Sequence, residues 1–299
     1  MRYLPTYHRH LLLLTLLSFT LGTLAQPMER KAEKANESGV AFGLIKEMFE
    51  SCSQVNTMAC EVQKKERYAG NYVEAHSRIK MSNQPYSIYL KQLDSEKGIE
   101  LLYSKGFNGG KVLVNPNGFP WINISLDPYS SLIRNNQHHL ISDIGFSKFN
   151  RVLAHLLKKY EHIAQDLAEY KGEETIDDHR CHVVEINNRQ YKLMTYTTVE
   201  GETTMSVADK FHISEYRIVE LNESISGFGS LSSGMTITIP NDYAPYIKLF
   251  IDQERLIPMR FEVYDDNGAL FEAYEYSKVQ LNTRFDEKEL TAEFPEYGF

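Results

Sequence analysis

The chain has 299 residues, of which 42% are apolar, and it carries a formal net charge of -8. This apolar fraction excludes wholesale disorder, and the acidic balance argues against a nucleic-acid partner, whose phosphates require a basic surface. Three cysteines are too few for a disulfide scaffold. Cys52 and Cys60 are close in sequence, and the sequence leaves undecided whether they form a disulfide in an oxidising compartment.

The N-terminal segment has the pattern of a secretory signal peptide. Basic residues such as Arg2 and Arg9 precede a largely apolar run at 11–24 that ends in small residues. We expect residues 1–25 to be the signal peptide, with cleavage after Ala25, and residues 26–39 to be a flexible polar leader. The mature protein is then expected to be exported to the periplasm or cell envelope and to be soluble.

The first half of the mature chain reads as one helix followed by short strands. Residues 40–51 place their apolar side chains on one helical face. Residues 72–81 alternate with a period of two, and similar segments continue to Leu126. Turn residues such as Asn108-Gly109-Gly110 separate them, which is typical of an antiparallel meander.

Residues 149–170 interrupt the strands with i, i+3, i+4 apolar spacing, which predicts one long amphipathic helix that covers the sheet. Strand patterns resume at 181–186 and 191–195, and again between 246 and 279. The sequence therefore predicts an α+β fold with a curved antiparallel sheet covered by helices. Its main domain is expected to comprise residues 40–195 and 241–299, interrupted by an insert at a hairpin tip, where added modules disturb few buried contacts.

The insert, residues 196–240, has a βααβ pattern of its own. A short strand ends in a glycine turn, two helical segments follow, and an alternating strand is stopped by a proline. This order resembles the LysM domain, and the matching positions are Tyr196, Gly201, Thr203, Val207, Ala208, Leu221, Asn222, Gly234, Ile237, Ile239 and Pro240.

The resemblance to LysM domains implies binding of glycans that contain N-acetylglucosamine, such as peptidoglycan or chitin. It places a shallow groove between the turn after the first strand and the loop before the second. Thr203 and Asn222 suit a structural role equally well, because Thr203 can cap the first helix and Asn222 can cap the end of the second. By position, the resemblance assigns the glycan-binding groove to Gly201, Glu202, Thr203, Thr204, Asn222, Glu223, Ser224 and Ile225.

The chain around the insert resembles the LolA-like fold of periplasmic lipoprotein carriers, a half-open barrel covered by helices. The segments Lys248–Asp252, Leu256–Arg260 and 264–276 also resemble a bacterial family of exported proteins described only as a domain of unknown function. LolA-like proteins bury acyl chains between sheet and helices, so a lipid or a lipoprotein is a candidate partner. Many aromatic residues fall on the predicted strands, and a curved sheet that faces a helix could leave a lined groove.

No residue set for catalysis, a cofactor or a metal emerges from the sequence. Strand alternation would separate His179 and Cys181 from His182, and His138-His139 lacks the glutamate of an HExxH motif. The carboxylates Asp94, Glu96, Glu100, Asp252 and Asp265 cannot be placed at a catalytic separation from sequence. We expect a non-catalytic binding protein without a cofactor. The alternatives are a cell-wall hydrolase that LysM targets, or a structural insert beside a binding sheet edge.

Overall fold

The structure is a computed structural model that describes residues 22–94 and 98–299, with side chains from Glu37 onward. Most of the predicted signal peptide, including residues 11–21 of its apolar run, lies outside the described residues, and so does Glu96. Helix α1 spans Gly22–Ser53, so residues 26–39, predicted to be a flexible leader, are helical. Within the described residues, no helix combines the length and apolarity needed to cross a membrane.

A meander of antiparallel strands follows α1, as the alternating pattern predicts. In β2 the side chains of Ser77, Ile79 and Met81 are buried on one face, so the period of two marks the core side of this strand. The six strands are β1 (Thr57–Tyr68), β2 (Asn71–Asn83), β3 (Tyr86–Gln92), β4 (Glu100–Ser104), β5 (Val112–Asn115) and β6 (Ile124–Leu126).

The helix predicted over 149–170 is wrong in its second half. A short helix α2 (Ser131–Arg134) comes first, α3 ends at Lys159 (Ser147–Lys159), and α4 is a single turn (Ala164–Leu167). Residues from Ala168 onward form β7 (Ala168–Ile176), which pairs with β8 (His179–Asn187).

Tertiary contacts explain where α3 ends. Tyr160 leaves the helical conformation, with φ -114° and ψ 33°. Its hydroxyl donates to Asp242 at 2.8 Å, and the ammonium group of Lys159 donates to the same carboxylate at 2.7 Å. The turn between β7 and β8 lies at Asp177 and Asp178, which both have positive φ, as a type I′ turn requires.

The insert forms a two-stranded sheet and two helices with a small core of its own. Strands β9 (Leu193–Thr197) and β10 (Thr236–Pro240) pair antiparallel, and between them lie α5 (Thr204–Phe211) and α6 (Glu215–Leu221). The predicted βααβ order is confirmed. The core of the insert consists of Val207, Ala208, Ile213, Ile218, Ile225, Leu231, Ile237 and Ile239.

The chain ends with β11 (Tyr246–Asp252), β12 (Pro258–Tyr264) and β13 (Leu270–Leu281). Within residues 22–94 and 98–299, the strands outside the insert form one eleven-stranded antiparallel sheet of order β6-β5-β4-β3-β2-β1-β13-β12-β11-β8-β7. The last strand therefore pairs with the first, and this joins the two halves of the sheet. Helices α1 and α3 pack on the sheet, and Met48, Leu153 and Met81 share one buried core. The expected α+β class with a large curved antiparallel sheet is confirmed.

All three cysteines, Cys52, Cys60 and Cys181, are buried free thiols. Burial raises the pKa of Cys52 and of Cys181 to about 11. The thiols are therefore protonated near neutral pH and act as small apolar side chains within the core.

Candidate functional site

A cavity of about 120 Å³ lies between the sheet and α3. Strands β1 to β4, β12 and β13 supply one side of it, and α3 with the loop that precedes it supplies the other. Within this loop Gly145 approaches the sheet closely, since a Cβ there would lie 2.9 Å from the terminal carbon of Met81. Apolar wall residues include Val62, Ile79, Leu90, Phe149, Val152 and Phe261.

One end of the cavity is polar because of the pairing between β1 and β13. In this register Glu66 lies opposite Glu272, and Lys64 lies opposite Tyr274. Side chains two residues apart share one face of a strand, so all four project to the same side. Glu66 and Glu272 are both buried, and like charges placed opposite each other destabilise a sheet unless they are neutralised.

Lys64 and two tyrosines satisfy much of this polar end. The ammonium group of Lys64 donates to Glu66 at 2.9 Å, and the hydroxyl of Tyr274 donates to the same carboxylate. The hydroxyl of Tyr243 donates to Glu272 at 2.6 Å. Although burial of Glu66 opposes its ionisation most strongly, the neighbouring Lys64 and the hydrogen bond from Tyr274 keep its pKa below the usual value.

His138 supplies the second positive charge. Its Nδ1 lies 2.9 Å from Glu272 Oε2, and its Nε2 lies 2.7 Å from the carbonyl oxygen of Arg67. Both partners can only accept a hydrogen bond, so both ring nitrogens must carry a proton and the ring is an imidazolium. Burial opposes this charge, but the hydrogen bond to Glu272 and the carboxylate of Glu66 raise the pKa of His138 above its usual value.

His139 completes the contacts of Glu272. Its Nε2 lies 3.0 Å from Glu272 Oε2, within hydrogen-bond distance of the carboxylate. Burial is the largest effect on Glu272 and would raise its pKa, but the two histidines together outweigh burial and lower it. We call Lys64, Glu66, His138, His139, Tyr243, Glu272 and Tyr274 the polar cluster.

Part of the polar cluster has a donor set that also suits a metal ion. Glu66, His138 and Glu272 each offer one ligand atom, and these atoms lie within 4.8 Å of one another. In the arrangement described here the countercharge is already supplied, by the ammonium group of Lys64 and by the proton on His138 Nδ1. The sequence analysis singled out neither Glu66 nor Glu272 as a functional residue, and it assigned no role to His138 and His139.

Helix α6 of the insert packs directly against the polar cluster. The ring of Tyr216 stacks on His138 at a centroid distance of 4.5 Å and on Tyr68 at 4.7 Å. The amide of Ala69 donates to the Tyr216 hydroxyl oxygen at 2.6 Å. The insert therefore forms the wall behind His138.

Two sets of ion pairs hold α6 against the rest of the chain. Arg134 and Glu215 are both buried, and Arg134 Nη2 donates to Glu215 Oε2 at 2.6 Å. The second pair joins β1 to α6, where Arg67 Nε donates to Glu220 Oε1 at 2.8 Å. The hydroxyl of Thr204 donates to Glu215 at 2.6 Å and so links α5 to this network.

The predicted glycan-binding residues separate into exposed and structural groups. Gly201, with φ 81°, lies in an exposed turn, and Glu223 and Ser224 are exposed in the loop after α6. Thr203 caps α5, since the amide of Ser206 donates to its hydroxyl oxygen at 3.0 Å. Glu202 accepts from the hydroxyl of Tyr196 at 2.7 Å.

The remaining three predicted residues are buried. Thr204 bonds to Glu215, and Ile225 packs in the core of the insert. Asn222 donates to the carbonyl oxygens of Ile218 and Thr238, both at 2.7 Å, and thereby ties α6 to β10. Their contribution to a glycan groove stays a prediction, and the exposed loops offer the accessible part of it.

The architecture defines an α+β protein in which a helix-covered antiparallel sheet encloses a cavity and carries a βααβ insert. Residues 196–240 match the LysM domain, with the same bounds as predicted, and residues 55–202 match the family described as protein of unknown function DUF1571. The chain thus resembles DUF1571 over residues 55–202 and the LysM domain over residues 196–240. The match to DUF1571 ends at residue 202, so it includes none of the segments between 248 and 276 on which the sequence resemblance was based.

Several solved structures are similar to the chain at low identity. The crystal structure of MucB has 12% identity and a TM-score of 0.41, over 85% of this chain and 63% of that one. The Mycobacterium tuberculosis lipoprotein LppX has 11% identity and a TM-score of 0.39, over 83% of this chain and 99% of that one. This chain thus spans less than two thirds of the MucB chain. No curated protein matches it.

Proposed function

We propose that the protein is an exported, non-catalytic binding protein of the cell envelope with two ligand sites. The LysM domain binds an N-acetylglucosamine glycan such as peptidoglycan, and the cavity binds an apolar molecule, such as one acyl chain of a lipid or lipoprotein. The observation that carries the second site is the apolar space enclosed between the sheet and α3. The LysM match carries the first.

The size of the cavity limits what it holds. Its volume of about 120 Å³ is close to that of an engineered apolar cavity of roughly 150 Å³ that binds benzene. A short stretch of alkyl chain fits such a space without rearrangement of the walls. Each buried methylene group contributes roughly 0.8 kcal/mol, so even a short chain binds measurably.

The polar cluster favours binding over glycan hydrolysis. A glycosidase pair requires one carboxylic acid that stays protonated to donate to the leaving oxygen. The pKa values of Glu66 and Glu272 are both lowered, so both side chains are carboxylates near neutral pH. The cavity is also much smaller than a groove that holds several sugar rings. Assay of the full chain for release of soluble muropeptides from peptidoglycan tests the hydrolase alternative.

Filling the cavity tests the apolar site. Val152 lies on the cavity side of α3, whereas Ala154 is exposed on the same helix. We expect Val152→Phe to reduce binding of 1-octanol, measured by isothermal titration calorimetry, and Ala154→Phe to leave it unchanged. Equal 1-octanol binding by all three proteins, with intact circular dichroism, contradicts the assignment of the cavity.

Blocking the exposed LysM loops tests the glycan site. Ser224→Trp places a large ring in the loop after α6, and Asp209→Trp places the same ring on the exposed face of α5. We expect the full chain to co-sediment with insoluble peptidoglycan, and only Ser224→Trp to weaken this. If the unaltered chain stays in the supernatant while a LysM protein of known affinity sediments, the glycan proposal is wrong.

A further inference from the structure

We infer that the cavity takes an amphiphile whose polar end is uncharged: an alkyl chain that ends in a hydroxyl, ester or amide group. This inference rests on the proposed function, because it assumes that an apolar chain occupies the cavity. It follows from the way charges are distributed around the polar cluster.

Every ionic group that lines the cavity faces a partner of opposite charge. Lys64 pairs with Glu66 at 2.9 Å, and Lys148 pairs with Asp143 at 2.7 Å. Glu272 is paired with the imidazolium of His138, which lies directly behind the lining. The charges of these three pairs therefore cancel, and a ligand ion would lose its water without gaining an unpaired countercharge.

The same cluster has hydrogen-bonding capacity left for an uncharged group. An ammonium group has three donors, and Lys64 spends one of them on Glu66. Tyr243 and Tyr274 donate their protons to Glu272 and Glu66, and their hydroxyl oxygens keep lone pairs that accept. A hydroxyl or carbonyl oxygen at this end of the cavity finds both a donor and acceptors.

Comparison of three ligands with the same alkyl chain length tests the inference. Isothermal titration calorimetry of the full chain near neutral pH measures the Kd of 1-octanol, octanoate and octylammonium. We expect the Kd of the alcohol to be about tenfold or more below that of either ion. A simple apolar cavity also disfavours ions, so the decisive evidence comes from variants of the cluster.

Removing one member of the Lys64–Glu66 pair should change the preference in a predictable direction. Lys64→Met leaves the Glu66 carboxylate unpaired, so octylammonium should gain on octanoate by about tenfold or more. Glu66→Gln leaves the Lys64 ammonium group unpaired, so octanoate should gain instead. The double variant Lys64→Met with Glu66→Gln restores neutrality and should restore the preference for the alcohol.

Two controls distinguish a change in ligand preference from other effects of the substitutions. Lys105→Met removes one exposed positive charge outside the cavity lining and should change no ratio. Circular dichroism identifies single variants that fail to fold, and the neutral double variant then provides the comparison. If 1-octanol binds but the ratios of the three Kd values stay the same in the folded variants, the inference is wrong and the apolar site stands. If none of the three ligands binds the unaltered protein, the proposed function and the inference both fail.

Discussion

Arg134→Met should loosen the contact between the LysM domain and the sheet by breaking a buried ion pair. Arg134 and Glu215 have side-chain exposures of only 4% and 7%, and the closest donor–acceptor distance is 2.6 Å. The variant keeps most of the apolar stem but leaves Glu215 with only the hydroxyl of Thr204 as a close donor. Loss of one partner from a buried pair costs about 3–5 kcal/mol. The guanidinium also stacks on Phe228, at 3.6 Å from the ring centroid.

The second step of this experiment removes the charge that Arg134→Met leaves behind. Glu215→Gln in the Arg134→Met background keeps an acceptor for Thr204 and abolishes the unpaired carboxylate, so we expect it to recover about 2 kcal/mol or more. Urea unfolding followed by circular dichroism measures the free energies of the two single variants, the double variant and the unaltered protein. If Arg134→Met costs less than about 1 kcal/mol, or if the two changes are additive, the pair does not anchor the domain.

Three further outcomes are expected. The pKa of His138 is raised by folding, so its stabilising effect is fully present below the unfolded pKa and is lost as pH rises through the folded pKa. His138→Gln should therefore flatten the fall in unfolding free energy that urea titrations detect as pH rises above the ordinary histidine pKa of about 6.5. Asn222→Ala removes hydrogen bonds to Ile218 and Thr238 and should lower the unfolding free energy by about 1–3 kcal/mol, whereas a loss of glycan binding at unchanged stability contradicts its structural role. Mass spectrometry of exported protein should find Gln26 at the N-terminus, and an intact Met1 there overturns the predicted cleavage.

Local pattern predicted the strands of the meander and the LysM domain. In β2, alternation alone identified the face that carries Ile79 and Met81, because successive strand residues point to opposite sides. In residues 196–240 the turn glycines, the helix spacing and the final proline all lie within one short segment. Signals of this kind depend on neighbours in the chain, so they are visible before any tertiary contact forms.

Residues 160–176 show where local pattern fails. The apolar spacing of Tyr160, Ile163 and Leu167 continues that of α3, and both helical and non-helical backbones can bury these side chains. The end of α3 depends on Asp242, which binds Tyr160 and Lys159 from far along the chain. The β7–β8 hairpin turns at Asp177 and Asp178, whose positive φ angles belong to the folded structure and were not predicted.

The sequence supplies the residues of the polar cluster, but only the tertiary structure brings them together. Glu66 and Tyr274 are separated by 208 residues, and each occupies an ordinary strand position. Pairing of β13 with β1 brings Glu66 opposite Glu272, and the loop before α3 then places His138 against both. Burial removes the water that would otherwise solvate these charges, so their protonation and their partners are decided by the folded arrangement. No periodicity along the chain records that arrangement, because its contacts arise between elements that meet only when the sheet is assembled.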